Sequence, residues 1–111
     1  MFERLAKKIL KKEKGKGEIN LMLITDKEMR KLNRKFRGKD KATDVLSFRM
    51  GEDGILGDIA ISTQTAKRNA KRFGVSYGFE LKRLFVHGAL HLLGYRHGKE
   101  MRHAEEIYQK L

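Results

Sequence analysis

Apolar positions along this chain recur first at a helical period and then at a strand period, and the alternation lays out its elements in order. Phe2, Leu5, Ala6, Ile9 and Leu10 stand three and four apart with lysines between them, which predicts an amphipathic helix over residues 2–13 with one stripe on a core. Lys14-Gly15-Lys16-Gly17 breaks it, and Ile19 to Thr25, short and partly alternating, reads as a strand. Thr25-Asp26-Lys27-Glu28 has the spacing of a capping box. It opens a helix that turns Met29, Leu32 and Phe36 inward and that Gly38 ends. Thr43 to Phe48 gives a second strand, a glycine-rich turn follows, and Ile55 to Ser62 gives a third.

From Thr63 the period is helical to Phe73, with Gly74 as the stop, and Ser76 caps the longest helix, which runs to Leu93. Leu81, Leu84, Phe85, Gly88 and Leu92 form one stripe of it, with Val86 and Leu90 opposite. Apolar residues on nearly every side of its second half predict burial, and Gly88 permits close approach by another element. A charged helix from Lys99 to Leu111 closes the chain, turning Met101, Ala104, Ile107, Tyr108 and Leu111 inward. Short connections between these segments predict a compact α+β fold in one domain, residues 1–111, with a small mixed sheet of three strands, four at most, on the central buried helix.

The buried helix carries chemistry. Three of the four histidines lie between positions 87 and 97, in His87-Gly-Ala-Leu-His91-Leu-Leu-Gly94-Tyr-Arg-His97. His87 and His91 are one helical turn apart on one face, and Gly94 can adopt the left-handed conformation that brings His97 back as a third ligand. Two imidazoles without partners on a buried helix cost a few kcal/mol, a penalty that metal coordination removes. The plainer alternative makes His87 and His91 hydrogen-bonded core residues and His97 a surface one. Three nitrogen ligands leave the fourth position of Zn²⁺ open, as catalytic sites do, whereas structural zinc is usually closed by cysteines, of which this chain has none. Three imidazoles also suit nickel, copper and iron. His103, on the outer helix, reads as a solvated residue.

The spacing matches the peptidase pattern His-Glu-x-x-His-x-x-Gly-x-x-His, except that Gly88 stands where those enzymes keep their glutamate base. Charge then points to the substrate. Lys and Arg number 26 against 14 Asp and Glu in 111 residues, a net charge of +12, which favours a polyanionic partner, above all nucleic acid. A thermophile's charged surface raises Lys and Glu together and would not leave this excess. No apolar run approaches a membrane span and the first residues lack a signal-peptide core, so a cytoplasmic location without membrane association is expected.

Three blocks make the reading more specific: Leu32-Asn33-x-x-Phe36-Arg37-Gly38-Lys39-Asp40-Lys41-x-Thr43-Asp44-Val45-Leu46-Ser47-Phe48, then Leu56-Gly57-Asp58-Ile59-x-Ile61-Ser62, then the histidine segment. In this order they cover most of the chain from about Ile19, and the chain resembles the YbeY family of bacterial metal-dependent endoribonucleases of ribosomal RNA maturation. The resemblance implies a zincin-like α+β fold, one Zn²⁺ on His87, His91 and His97, and an essential arginine at Arg37. It also implies action at the 3′ end of 16S ribosomal RNA and in ribosome quality control, with ribosomal RNA and the small subunit as partners. Arg37 would hold the scissile phosphate through its planar guanidinium, and Lys39 and Lys41 would bring in the RNA. Without the resemblance, Arg37 reads equally as a helix-end residue facing the dipole.

This sequence departs from the family at several points. Arg96 replaces the aspartate of the Gly-Tyr-Asp-His motif, which favours phosphate over metal and adds Arg96 to the expected RNA contacts. Ala42 and Arg49 replace flanking prolines, and the opening strand of the family is missing, which predicts a sheet with one edge open. Asp44 and Asp58 are candidate bases or partners of a ligating histidine, and equally caps or turn residues. Whether water or the RNA 2′-hydroxyl attacks is open, as is the oligomeric state. Two other classes remain beside the nuclease: a zinc peptidase, and a ribosome-assembly factor whose metal only stabilises the fold.

Overall fold

The structure, a computed structural model, describes residues 1–52 and 54–111. The elements in chain order are α1 (Glu3–Lys12), β1 (Glu18–Ile24), α2 (Asp26–Arg37), β2 (Val45–Glu52), β3 (Ile55–Ser62), α3 (Thr63–Phe73), α4 (Tyr77–Leu92) and α5 (Lys99–Gln109). Among the described residues the sheet has three strands in the order β1-β3-β2, with β1 parallel and β2 antiparallel to β3. The fold is therefore α+β with one mixed sheet, and along its other side β1 meets no strand among the described residues.

Alternation along β3 builds two cores. Ile59 and Ile61 point to one face, where they pack with Leu84, Phe85 and Leu90 of α4 and with Leu5 and Ile9 of α1. Ala60 points to the other, where it meets Met29 of α2 and Leu46 of β2. The second half of α4 is buried all round, Val86, Ala89 and Leu90 being wholly inaccessible. Gly88 explains how this helix lies flush on the sheet. A Cβ there would sit 2.9 Å from Ile59 Cγ2 and 3.0 Å from Ser47 Oγ, and the Ser47 hydroxyl donates to the Gly88 carbonyl at 2.9 Å.

Local chemistry starts the helices. Thr25 and Glu28 complete the capping box at α2, and Ser62 and Ser76 cap α3 and α4. The starts of α2 and α3 are tied together by Asp26, whose carboxylate accepts from the hydroxyls of Ser62 and Thr65, both at 2.6 Å, and from Arg68 at 2.7 Å. These hydrogen bonds, the hydroxyls foremost, pull the Asp26 carboxyl down to about 2. At the other end of the molecule the Glu13 carboxylate, just past α1, accepts from Tyr95 at 2.8 Å and from Tyr108 of α5.

Three details depart from the sequence reading. β2 does not stop at Phe48 but runs to Glu52, because β3 offers it a continuing ladder (Arg49 opposite Gly57, Glu52 opposite Ile55) that needs no apolar pattern. The glycine-rich turn expected next includes Asp53, which lies outside the described residues. Phe36 is 55% exposed rather than inward. The loop after α2 folds back against Asn33, which takes the inward place in that part of the helix, and the Phe36 ring reaches only the edge of Phe48. Ile107 and Leu111 are also exposed. Met101, Ala104 and Tyr108 define the seam of α5, and the helix ends before Leu111.

Two outcomes test this packing. Gly88→Ala should lower the urea-unfolding free energy by about 1 kcal/mol, because overpacking at about 1–3 kcal/mol outweighs the roughly 1 kcal/mol of regained helix propensity. For Asp26→Asn the sign follows from the depressed pKa: stability supplied by the ionised carboxylate is present above about pH 4 and lost as pH falls through about 2. The variant should be less stable than the wild type at neutral pH, with the gap closing over that acid range in melts at matched pH.

Candidate metal centre

His87 and His91 occupy successive turns near the end of α4, and the backbone beyond returns His97 to them. The turn is a Schellman motif: Gly94 has φ +96°, the Tyr95 amide bonds the Leu90 carbonyl at 3.0 Å, and the Gly94 amide bonds that of His91 at 3.0 Å. It brings the His97 ring to 4.8 Å from His91 and 5.4 Å from His87, centroid to centroid. One nitrogen from each of the three rings lies within 4.8 Å of the other two, an arrangement that can hold a metal ion.

Hydrogen bonding on the far side of the rings decides what faces the centre. His87 Nδ1 lies 3.0 Å from a Glu105 carboxylate oxygen, and His91 Nδ1 lies 3.1 Å from the Tyr95 carbonyl. Both partners only accept, so each Nδ1 carries a proton, and both rings turn Nε2 toward the centre. Those two Nε2 atoms are 3.1 Å apart. That separation suits either one N–H···N hydrogen bond or a shared metal ion, since two nitrogens on one tetrahedral zinc stand about 3.3 Å apart. The residues present therefore fit a divalent metal. Burial, and next the neighbouring His87, hold the His91 pKa below the ordinary imidazole value, so its lone pair stays available at neutral pH.

The three histidines line a cleft of about 640 Å³ together with Arg37, Lys39, Lys41, Asp44, Ser47 and Arg49. Its basic wall is braced from behind. Asn33, almost wholly buried, donates to the Lys41 carbonyl at 2.8 Å, and Asp40 receives a bidentate pair from Arg30 at 2.8 and 3.0 Å. Asp40 thus engages Arg30, and Arg34 at 3.6 Å, while Arg37 has no carboxylate partner among the described residues. Four cations stand on the cleft, and none is neutralised there by a described acidic side chain.

The candidates read from sequence are thus mostly brought together: His87, His91 and His97 at the centre, with Arg37, Lys39 and Lys41 on the same cleft. Arg96 is set apart, exposed on the outer side of the turn in an adjoining depression that also touches His97. Asp58 faces the α2 side of the sheet and accepts from Asn20 at 3.1 Å, and His103 is exposed on α5. Asp44 lines the cleft while accepting from the Val45 amide at 2.8 Å. Sequence reasoning missed Glu105, the residue that orients His87. It lies 18 positions beyond its partner on another helix, and no period links them. It missed Arg49 as a cleft residue because β2 was expected to end one residue earlier.

A sequence model of the family described as Endoribonuclease YbeY matches residues 1–110. A relative from Aquifex aeolicus, named endoribonuclease YbeY, is 52% identical over 86 residues, 74% of this chain and 57% of that protein. One of the same name from Thermotoga maritima is 36% identical over 113 residues, 99% of this chain and 75% of its own length. The chain thus spans little more than half of the Aquifex relative. In three dimensions it is similar to the solution structure of a Thermotoga maritima protein, with a TM-score of 0.71 at 35% identity over 98% of this chain and 79% of that one.

Removing the carboxylate behind His87 tests the centre directly. Glu105→Ala should weaken Zn²⁺ or Co²⁺ binding about 10- to 100-fold in a competition titration, with the far-ultraviolet spectrum unchanged. Affinity within a factor of two of the wild type would show that Glu105 does not orient the ligand.

Proposed function

The chain belongs to the endoribonuclease YbeY family, and from that premise we propose that it is a zinc-dependent endoribonuclease that cuts single-stranded RNA. We assign it to maturation of the 3′ end of 16S ribosomal RNA and to ribosome quality control, with ribosomal RNA and the small ribosomal subunit as its cytoplasmic partners. No described helix is long and apolar enough to cross a membrane. The observation that carries the reading is the union, in one cleft, of three inward imidazole nitrogens with an unpaired arginine and two lysines. The net charge of +12 supports a polyanionic substrate.

His87, His91 and His97 hold the metal. When bound, it supplies Lewis acidity toward a phosphoryl oxygen and brings the pKa of water toward neutrality. Arg37 binds the scissile phosphate in a bidentate manner and offsets the negative charge that grows on it in the transition state. It is prepared for this by its place at the end of α2, where Asn33 and Asp40 fix the following loop and leave its guanidinium without a competing carboxylate. Lys39 and Lys41 attract the strand and hold it by its backbone, which fixes position without reading sequence. Arg49 adds a fourth positive charge to the cleft. Arg96, on the outer side of the turn, contacts the strand where it leaves. No peptidase base fits here: position 88 faces Ile59 and Ser47, with no room for a side chain.

The test is cleavage of a single-stranded RNA by wild type, Arg37→Ala and His91→Ala, with bound metal quantified in each. Arg37→Ala should retain metal and lose about 100-fold or more in cleavage, the scale of a lost charge-stabilising donor. His91→Ala should lose both. Equal RNA cleavage by all three preparations would instead leave the metal a purely stabilising part of an RNA-binding assembly factor.

A further inference from the structure

Phe36 stands one turn beyond Leu32 on α2, and where Leu32 packs against the second core, Phe36 reaches past it and is 55% exposed. A single exposed apolar side chain is ordinary on a protein surface. What sets this one apart is its company. Its ring makes a T-shaped contact with that of Phe48, the centroids 5.1 Å apart and the planes at 62°, and each ring stands one residue before an arginine of the cleft: Phe36 before Arg37, Phe48 before Arg49. The Lys35 ammonium adds a third positive charge, 5.2 Å from the Phe36 centroid. The cleft also opens toward this side of the sheet. Leu46 lines it although its side chain belongs to the second core, and Phe48 follows Leu46 by two residues on the same strand face. β2 ends the strand order β1-β3-β2, so the ring pair lies at the rim of the cleft, where that strand's two faces meet.

We propose that Phe36 is a stacking platform for an unpaired nucleobase beside the phosphate that Arg37 holds. This deepens the nuclease reading of the cleft and rests on it. Lysines and arginines hold a strand by its backbone, which paired and unpaired RNA both present, so charge alone does not select a single strand. A ring does. In a duplex both faces of each base are covered by its neighbours, whereas an unpaired base offers a whole π-face to an aromatic side chain. Base and phosphate of a nucleotide are joined through one sugar, a reach that suits a ring and a guanidinium on neighbouring residues of one helix. Phe48 props the Phe36 ring from the sheet, so little conformational freedom is lost when a base arrives. Lys35 is exposed, and its ammonium can leave the ring to the base and turn to the adjoining phosphate. Every base has a π-face, so the platform tolerates sequence while requiring an unpaired strand.

Fluorescence anisotropy over a salt series separates stacking from charge, with zinc-loaded protein, a short labelled oligoadenylate and an abasic strand of equal length, in readings kept shorter than turnover. The wild type should bind the oligoadenylate at least about tenfold more tightly than the abasic strand. Phe36→Ala should lose that preference, weakening the oligoadenylate about tenfold while leaving the abasic strand and the salt slope as they were. Phe36→Trp should keep the preference and Phe36→Leu should not, since only a ring stacks. Arg37→Ala should instead weaken both strands and lower the salt slope by about 0.7, the share of one single-strand phosphate. A Phe36→Ala protein that binds both strands as the wild type does, or binds both equally more weakly, overturns the platform and leaves the nuclease reading standing on Arg37→Ala. Full preference in Phe36→Leu overturns the platform too. A wild type that binds neither strand overturns the platform together with the nuclease reading.

Discussion

Two imidazole nitrogens held facing each other across 3.1 Å are the constraint around which this structure is organised. Neither ring can relieve it by turning, because the Nδ1 of one is held by Glu105 and that of the other by the Tyr95 carbonyl. A proton shared between the two nitrogens, or a metal ion bound by both, satisfies such a pair, so the fold prepares a place that can hold a cation. The surrounding features serve that geometry. Gly88 lets α4 press onto β3 and locks its rotation through Ser47, which fixes where the two imidazoles point. Gly94 then reverses the chain within one turn, so that the third nitrogen arrives without a separate element to carry it.

The opposite wall of the cleft is prepared in another way. There the ordering falls to uncharged or already paired groups, while the cations that line the cleft are left without carboxylate partners among the described residues. Asn33 spends its amide on the Lys41 carbonyl, and Asp40 is satisfied by Arg30, so the loop is rigid without drawing on Arg37. A phosphate entering the cleft has no internal ion pair to break at Arg37. Much of the cost of ordering the site has been met during folding, the usual basis of electrostatic preorganisation.

How much of this was legible follows from the kind of interaction concerned. The clustering of the three histidines was readable because a helix of fixed pitch and a glycine turn convert sequence spacing into geometry, and the starts of α2, α3 and α4 each carried a capping side chain at a fixed offset. The alternating cores were readable for the same reason. Contacts between distant segments left no trace. Glu105 reaches His87 across two helices, and Asn33 meets a carbonyl eight residues away in a loop, neither at a recurrent spacing. The end of β2 was misread because backbone pairing with β3 continues where the apolar alternation stops, and Phe36 because a polar contact took the inward place beside it. The blocks shared with the YbeY family include Asn33, Arg37 and Asp40, whose roles only the folded loop explains.

The Glu13 carboxylate, which receives hydroxyls from Tyr95 and Tyr108, links the amino-terminal helix to the ligand-bearing turn. Tyr95 uses its carbonyl to orient His91 and its phenol to anchor Glu13, so one residue joins the end of α1 to the histidine turn. Fraying of α1 and loosening of the His97 turn therefore belong to one cooperative opening rather than two. A limited protease acting on the first dozen residues then reads how firmly the histidine turn is packed, and the amino terminus becomes a gauge of that turn's order.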